Sequence, residues 1–394
     1  MRAVVFQGPG RILPERAPEP ELAPGDVLVE VVAAGICGTD LRIHKGQHRA
    51  AVVGRVPGHE VVGRVAESAG PLPEGLAVSD AVFVAPNIGC GRCRWCGRGQ
   101  ENLCASGEAL GITLNGGFAE RMVVPARAVN RGNLIALDRD FVAGGGGAGG
   151  DGDAGDGDTN SDTNSSTNSS ASGGEAARRR LQAMVLAEPL ACVIRGQDRL
   201  RVEPGEAALV FGAGPVGLLH IALLKARGAG PIICSEPSAT RRAAALRAGA
   251  DQAVDPATTA VGEAVADLTH GIGAAVAITA APVPALQTEA IELAAIRGRV
   301  LLFGALPKSI PAVALDTNAI HYKELAVLGT SASALDDCRQ AVHLIEGGTV
   351  DTSWMISHRF GIDEFDAAIA AAGDPTALKV MLDPRLDREA WEPR

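Results

Sequence analysis

Residues 208–229 read ALVFGAGPVGLLHIALLKARGA: a short apolar run, a glycine-rich turn, then a longer helix-like stretch. Glycines in this pattern permit a tight turn, close approach of a pyrophosphate to backbone N–H groups, and close packing of helix on strand. Gly212, Gly214, Pro215, Val216 and Gly217 are therefore the candidate dinucleotide-binding turn. The pattern alone is weak in a chain with 49 glycines, and the next strand strengthens it. PIICSEP, 231–237, ends in Glu236, where an acid can accept hydrogen bonds from a ribose diol and repel a 2′-phosphate. NAD is thus favoured over NADP. Arg241 and Arg242 follow on a helix whose polar face they fit, and Arg241 is carried as a cofactor contact.

Strand and helix signals keep alternating beyond this point, through AAVAITA (274–280), VPALQTEAIELAAI (283–296), GRVLLFGAL (298–306) and ELAVLGT (324–330). That rhythm predicts an α/β unit, a parallel sheet covered on both faces. With 394 residues, 46% of them hydrophobic, the chain has material for two domains with real cores and needs no disulfide staples. The opening MRAVVFQGPG lacks the charged-then-apolar pattern of a leader, and the apolar runs are too short to span a bilayer. A cytoplasmic protein with reduced thiols is expected.

The first half carries metal-ligand spacing. Cys90, Cys93, Cys96 and Cys104, in CGRCRWCGRGQENLC, fall as C-x2-C-x2-C-x7-C, which lets four thiolates close on one tetrahedral ion. An iron–sulfur cluster shares such runs, but no second cluster motif accompanies this one, and a thioredoxin-like pair needs only two cysteines. A closed structural zinc is expected, with Arg92, Arg94 and Arg98 placed to offset its net negative charge. Upstream, the β-rich DVLVEVVAAGIC (26–37) delivers Cys37, and GHEVVGRVAE (58–67) delivers His59 and Glu60. A thiol, an imidazole and a carboxylate at strand ends can hold a second zinc with an open position. Taken alone, each of these residues reads as ordinary core or surface.

Together the stretches GICGTD, PGHEVVGRV, the four-cysteine lobe, AEPLACV (187–193), VFGAGPVGLL (210–219) and IHYKELAVLGT (320–330) resemble the zinc-dependent medium-chain alcohol dehydrogenases, in particular the sorbitol (polyol) and threonine dehydrogenase branch. The resemblance covers nearly the whole chain. It implies a GroES-like β-rich catalytic domain over 1–190, with the structural-zinc lobe at 89–105, an inserted Rossmann-type NAD-binding domain over 191–325, and a return to the catalytic domain over 326–394. It further implies two zincs per subunit, a catalytic zinc at Cys37, His59 and Glu60, with Glu188 beside it as alternative ligand or water partner, and hydride transfer from a secondary, polyol-like alcohol to NAD. Thr39 matches the residue that bonds the substrate hydroxyl, and Lys323 a basic residue of polyol dehydrogenases. The usual relay histidine is replaced by Arg42, with His44 two positions on. Threonine or an amino-cyclitol is the alternative substrate, a zinc-stabilised nucleotide-binding protein without turnover the alternative class, and a homodimer or homotetramer the expected assembly.

One segment departs from the family. Residues 144–174, GGGGAGGDGDAGDGDTNSDTNSSTNSSASGG, are almost free of apolar side chains and predict a disordered acidic insertion. A calcium-binding repeat is disfavoured because the spacing does not recur at nine residues. The net charge of −10 argues against nucleic acid as partner. His220, His270, His343, His358, Cys192, Cys234 and Cys338 lack ligand-like neighbours and read as structural.

Overall fold

The structure is a computed structural model that describes residues 1–144, 168–307 and 309–386. Two sheets dominate it. The first has six parallel strands in the spatial order Gln252–Val254, Ile232–Ser235, Ala208–Phe211, Ala274–Thr279, Ala294–Leu302, Ala326–Gly329. That is the doubly wound order, with the strand order reversing beside Ala208–Phe211, where ligands bind at the carboxyl ends of the strands. The sixth strand pairs in parallel with Ala294–Leu302. It therefore lies with the cofactor sheet rather than after the boundary drawn at 325.

The second sheet runs Ile356–Phe360, Lys379–Leu382, Val27–Gly35, Glu60–Ser68, Ala81–Val84, Leu134–Ala136, with Arg121–Val124 also paired to Val27–Gly35. Strands from the last forty residues thus sit beside strands from the first seventy. Helix Ala187–Leu200 joins the two sheets. Its Leu186 neighbour, Leu190 and Ile194 are fully buried in a core that also takes Phe83 from one sheet and Val210 from the other. Each such side chain contributes roughly 1.5–3 kcal/mol by leaving water, so the core also fixes how the sheets sit against each other.

Most of the acidic insertion lies outside the described residues. Its end does not: helix Asn168–Ala183 begins inside the stretch expected to be disordered. Arg178 and Gln182 on this helix both donate to the buried Asp383, Gln182 at 2.6 Å, and Arg359 donates to Gln182 at 3.1 Å. A buried carboxylate needs such partners, and the helix is anchored by supplying them.

Candidate active site and metal centres

Three neighbouring strands bring the catalytic candidates together. Val27–Gly35 leads into Cys37, Glu60 opens the strand paired with it so that Gly35 faces Glu60, and Lys379 opens the strand on the other side. Cys37 caps the short helix Gly38–His44, and Asp40 closes that cap by accepting from the Cys37 N–H at 2.9 Å through Oδ2. The other oxygen of Asp40 faces His59 Nδ1 at 3.6 Å, and neither of these two atoms has a hydrogen bond among the described residues. An Nδ1 proton held toward Asp40 leaves Nε2 as the donor atom for a metal.

Donor atoms of Cys37, His59 and Glu60 all lie within 4.8 Å of one another. One sulfur, one nitrogen and one oxygen suit zinc and leave a coordination position for another oxygen. Glu60 is not free, however: its Oε2 is ion-paired with Lys379, both side chains being almost completely buried, and Lys379 also donates to the Ile36 carbonyl at 3.0 Å. Gly35 makes room for this pair, since a Cβ there would stand 2.0 Å from Glu60 Oε2 and 2.8 Å from Lys379 Cε. Glu188 enters from the first turn of helix Ala187–Leu200, and its Oε1 lies 3.6 Å from the Cys192 thiol.

The charges at this centre respond to one another. Burial, helped by the neighbouring Glu60, pushes Glu188 up to about 7 even though His59 and Lys379 pull the other way. Burial also opposes charge on His59, but the Asp40 carboxylate outweighs it and holds the ring well above its ordinary value. Lys379 follows the same logic: burial disfavours its charge, and Glu60 more than restores it.

Cys90, Cys93, Cys96 and Cys104 form the second donor set, again with all four sulfurs within 4.8 Å. Backbone N–H groups of Arg92 and Cys93 bring the Cys90 thiol down to about 6, as suits a metal thiolate. Arg94 stacks on Trp95 at 4.7 Å, so its side chain serves the ring. Arg131, from outside the lobe, lies against Gly91 instead. The lobe is docked by Asn102, donating to the Ser331 carbonyl at 2.8 Å, and by Asn87, donating to the Ser333 carbonyl at 3.0 Å.

At the dinucleotide turn, Gly212 to Gly214 links strand Ala208–Phe211 to helix Pro215–Ala226, with Pro215 at the first helical position. A Cβ at Gly217 would stand 1.9 Å from the Gly212 carbonyl oxygen, which explains glycine there by close approach. Glu236 accepts from the Ala213 N–H at 2.8 Å and the Ser238 N–H at 2.9 Å, so its carboxylate stands at the turn where a ribose is expected. Arg241 leaves the helix face and donates to the Ala377 carbonyl at 3.0 Å, across to the segment that leads into Lys379. Arg242 pairs with Asp255 at 3.1 Å.

One sequence expectation needs revision. Lys323 is not at the centre: it follows helix Thr317–Tyr322, and its ammonium donates to the carbonyls of Glu292 and Ala294 at 2.7 and 3.0 Å, closing the end of helix Pro284–Leu293. A cation at a helix C-terminus meets unpaired carbonyls and the negative end of the dipole. Arg42 also has a definite role, donating to the Thr39 hydroxyl at 3.2 Å. Sequence reading gave no role to Lys379 or Asp40. Their signals were a lone lysine in the apolar LKVML and an acid three residues after Cys37.

A donor set of one sulfur, one imidazole and one carboxylate at the ends of neighbouring strands, in a chain that also carries a dinucleotide turn, fits a zinc-dependent dehydrogenase of the medium-chain class. Comparison with known proteins agrees. Residues 23–132 match the alcohol dehydrogenase GroES-like domain and residues 215–347 the zinc-binding dehydrogenase domain. The chain is 33% identical to an L-threonine 3-dehydrogenase of Pyrococcus furiosus over 92% of its length and 93% of that protein. It is 27% identical to D-arabinitol dehydrogenase 1 of Uromyces fabae over 98% of its length and 97% of that protein. A zinc-binding dehydrogenase of Sinorhizobium meliloti 1021, solved bound to NADP, superposes with a TM-score of 0.81 at 30% identity, covering 97% of this chain and 99% of that one. The chain belongs to the zinc-dependent medium-chain alcohol dehydrogenase family and is an oxidoreductase. Among the described residues no helix is long and apolar enough to cross a membrane.

Proposed function

We propose that the chain oxidises a secondary alcohol with a polar group on the adjacent carbon to the corresponding ketone, with NAD as acceptor. The observation that carries this reading is the convergence of Cys37, His59 and Glu60 within 4.8 Å, with Glu188 and Lys379 buried beside them. When bound at these residues, zinc supplies a Lewis acid for the alcohol oxygen and the nicotinamide accepts the hydride.

The chain's own residues supply the rest. Asp40 holds His59 in one ring orientation, and Lys379 holds Glu60. Thr39, fixed by Arg42 at 3.2 Å, presents its hydroxyl to the substrate hydroxyl and passes a proton on to solvent. Arg42 itself cannot accept that proton, because a guanidinium has no acceptor and stays charged. Glu236 accepts from the ribose and repels a 2′-phosphate, so the NADP seen with the Sinorhizobium protein is not the expected partner here.

The polyol expectation leaned on Glu188 and on Lys323, and the Lys323 ammonium is taken up by the carbonyls of Glu292 and Ala294. The relatives at 32–33% identity named L-threonine 3-dehydrogenase support a hydroxy amino acid as the first substrate to test, and D-arabinitol dehydrogenase 1 keeps polyols second. The test is the rate of NAD reduction across L-threonine, its stereoisomers, polyols and cyclitols. A chain loaded with two zincs that reduces NAD with none of these substrates refutes the reading. A homodimer or homotetramer in the cytoplasm is part of the proposal, checked by sedimentation.

A further inference from the structure

Between the four-cysteine lobe and the catalytic centre lies a segment, Ser331 to Cys338, that the reaction as derived does not use. From outside it is held by Asn102 of the lobe, on the Ser331 carbonyl, and by Asn87, in the strand that leads into the lobe, on the Ser333 carbonyl. Its inner side reaches the catalytic carboxylate. Ser333 is fully buried, its hydroxyl is 3.7 Å from the Cys338 thiol, and it is a polar neighbour of Cys192, whose thiol pKa it lowers against the stronger upward push of burial. Cys192 in turn lies 3.6 Å from Glu188 Oε1, one helical turn away on the same helix.

We propose that Ser333 is a positioning residue of the catalytic metal centre: through Cys192 it fixes the Glu188 carboxylate, while Asn87 at the entry to the lobe holds Ser333 and Asn102 of the lobe holds the neighbouring Ser331. The polarity is consistent. Glu188, when ionised, can only accept, so the Cys192 S–H must point at it, and the sulfur lone pairs then receive the Ser333 hydroxyl. Cys338 fills the remaining acceptor position on Ser333. Glu188 is buried, so its orientation rests on the protein groups beside it, and a weak thiol donor aims well only if its own torsion is fixed. Ser333 fixes it. The lobe thereby gains a role in catalysis besides closing a loop.

This rests on the reading of Glu188 as a carboxylate of the metal centre, and the experiment separates the two claims. Zinc release to a chromogenic chelator is followed in the intact protein and in Ser333→Ala, Cys192→Ala, the double variant, Cys192→Ser and Asn87→Ala. In the parental protein one zinc is expected to leave ahead of unfolding; if none does, the metal-centre reading falls before any substitution is compared, and the proposal with it. Ser333→Ala and Cys192→Ala are expected to release that zinc about ten- to hundred-fold faster, the range for residues that orient metal ligands. Lobe zinc and thermal midpoint should stay near parental values. The double variant should be no worse than either single one, because both break the same chain. Cys192→Ser, which keeps a donor, should retain slow release, and Asn87→Ala should move the rate in the same direction as Ser333→Ala. Parental release rates in both alanine variants, or effects that multiply in the double variant, overturn the proposal. If Ser333→Ala does not fold, Cys192→Ala against Cys192→Ser decides it alone.

Discussion

Replacing Lys379 with Met tests the charge arrangement of the centre most directly. The substitution keeps a long apolar side chain and removes the only cation paired with Glu60 among the described residues. Side-chain exposure is 3% for Lys379 and 1% for Glu60, so water cannot take over the lost interaction. Removing one partner of such a pair costs about 3–5 kcal/mol, because the other charge is left buried. In the metal-free protein the loss should therefore be of that order. With zinc bound it should shrink, since Glu60 then faces a divalent cation. The assay is urea denaturation of the parental protein, Lys379→Met, Glu60→Gln and the double variant, each with and without zinc. The metal-free coupling energy between the two sites should exceed about 2 kcal/mol, within the range for contacting residues. A loss below about 1 kcal/mol in Lys379→Met, or an equal loss in the Glu60→Gln background, would show that the pair is not held as described.

Lys323→Met should leave kcat and KM unchanged for every substrate and lower stability by about 1–2 kcal/mol, the cost of two hydrogen bonds to the carbonyls of Glu292 and Ala294; thermal unfolding beside steady-state kinetics checks both halves. Gly35→Ala should abolish retention of the exchangeable zinc while the lobe keeps its own, because the new methyl group would overlap Glu60 and Lys379; metal analysis after gel filtration reads this. Glu236→Ser should erode the preference for NAD over NADP, seen in the ratio of kcat/KM for the two cofactors; a parental protein that already prefers NADP would remove Glu236 from the ribose.

The parts of this molecule that could be read from sequence are those whose chemistry is local. Four cysteines within fifteen residues define a cage wherever the chain goes, and a glycine turn after an apolar strand needs only its own backbone. Lys379 is different. Its partners, the Ile36 carbonyl and Glu60, lie more than three hundred residues earlier, and only the strand pairing of Lys379–Leu382 with Val27–Gly35 brings them together. Lys323 shows the converse error. A lysine near a strand of the cofactor sheet looks available to a ligand, but the helix before it ends at Tyr322, and local carbonyls claim the ammonium first. Helix Asn168–Ala183 was hidden for a similar reason: residues 168–174 lack apolar spacing of their own, and the anchor on Asp383 lies two hundred residues downstream.

The raised values of Glu188, set mainly by burial, and of His59, set by Asp40 against burial, lead to a last prediction. Both groups hold their protons more firmly in the metal-free centre than free side chains do. Zinc ligation requires a neutral His59 and an ionised carboxylate, so the protons must leave. At pH 7 the protons come from His59, held above its ordinary 6.5 by Asp40, and from Glu188, which stands at about 7. Zinc binding at the exchangeable site should thus release protons at pH 7. Release from these two groups should grow as pH falls toward 6, where both are more fully protonated, and fade once pH passes the metal-free value of His59. Apparent affinity should accordingly rise with pH over that window and then level. Titration calorimetry in buffers of different ionisation enthalpy measures the count, with the lobe kept loaded. The Asp40→Asn variant, which removes the field that holds the His59 proton, should lower it; an unchanged count in that variant would mean that Asp40 does not set the charge of His59.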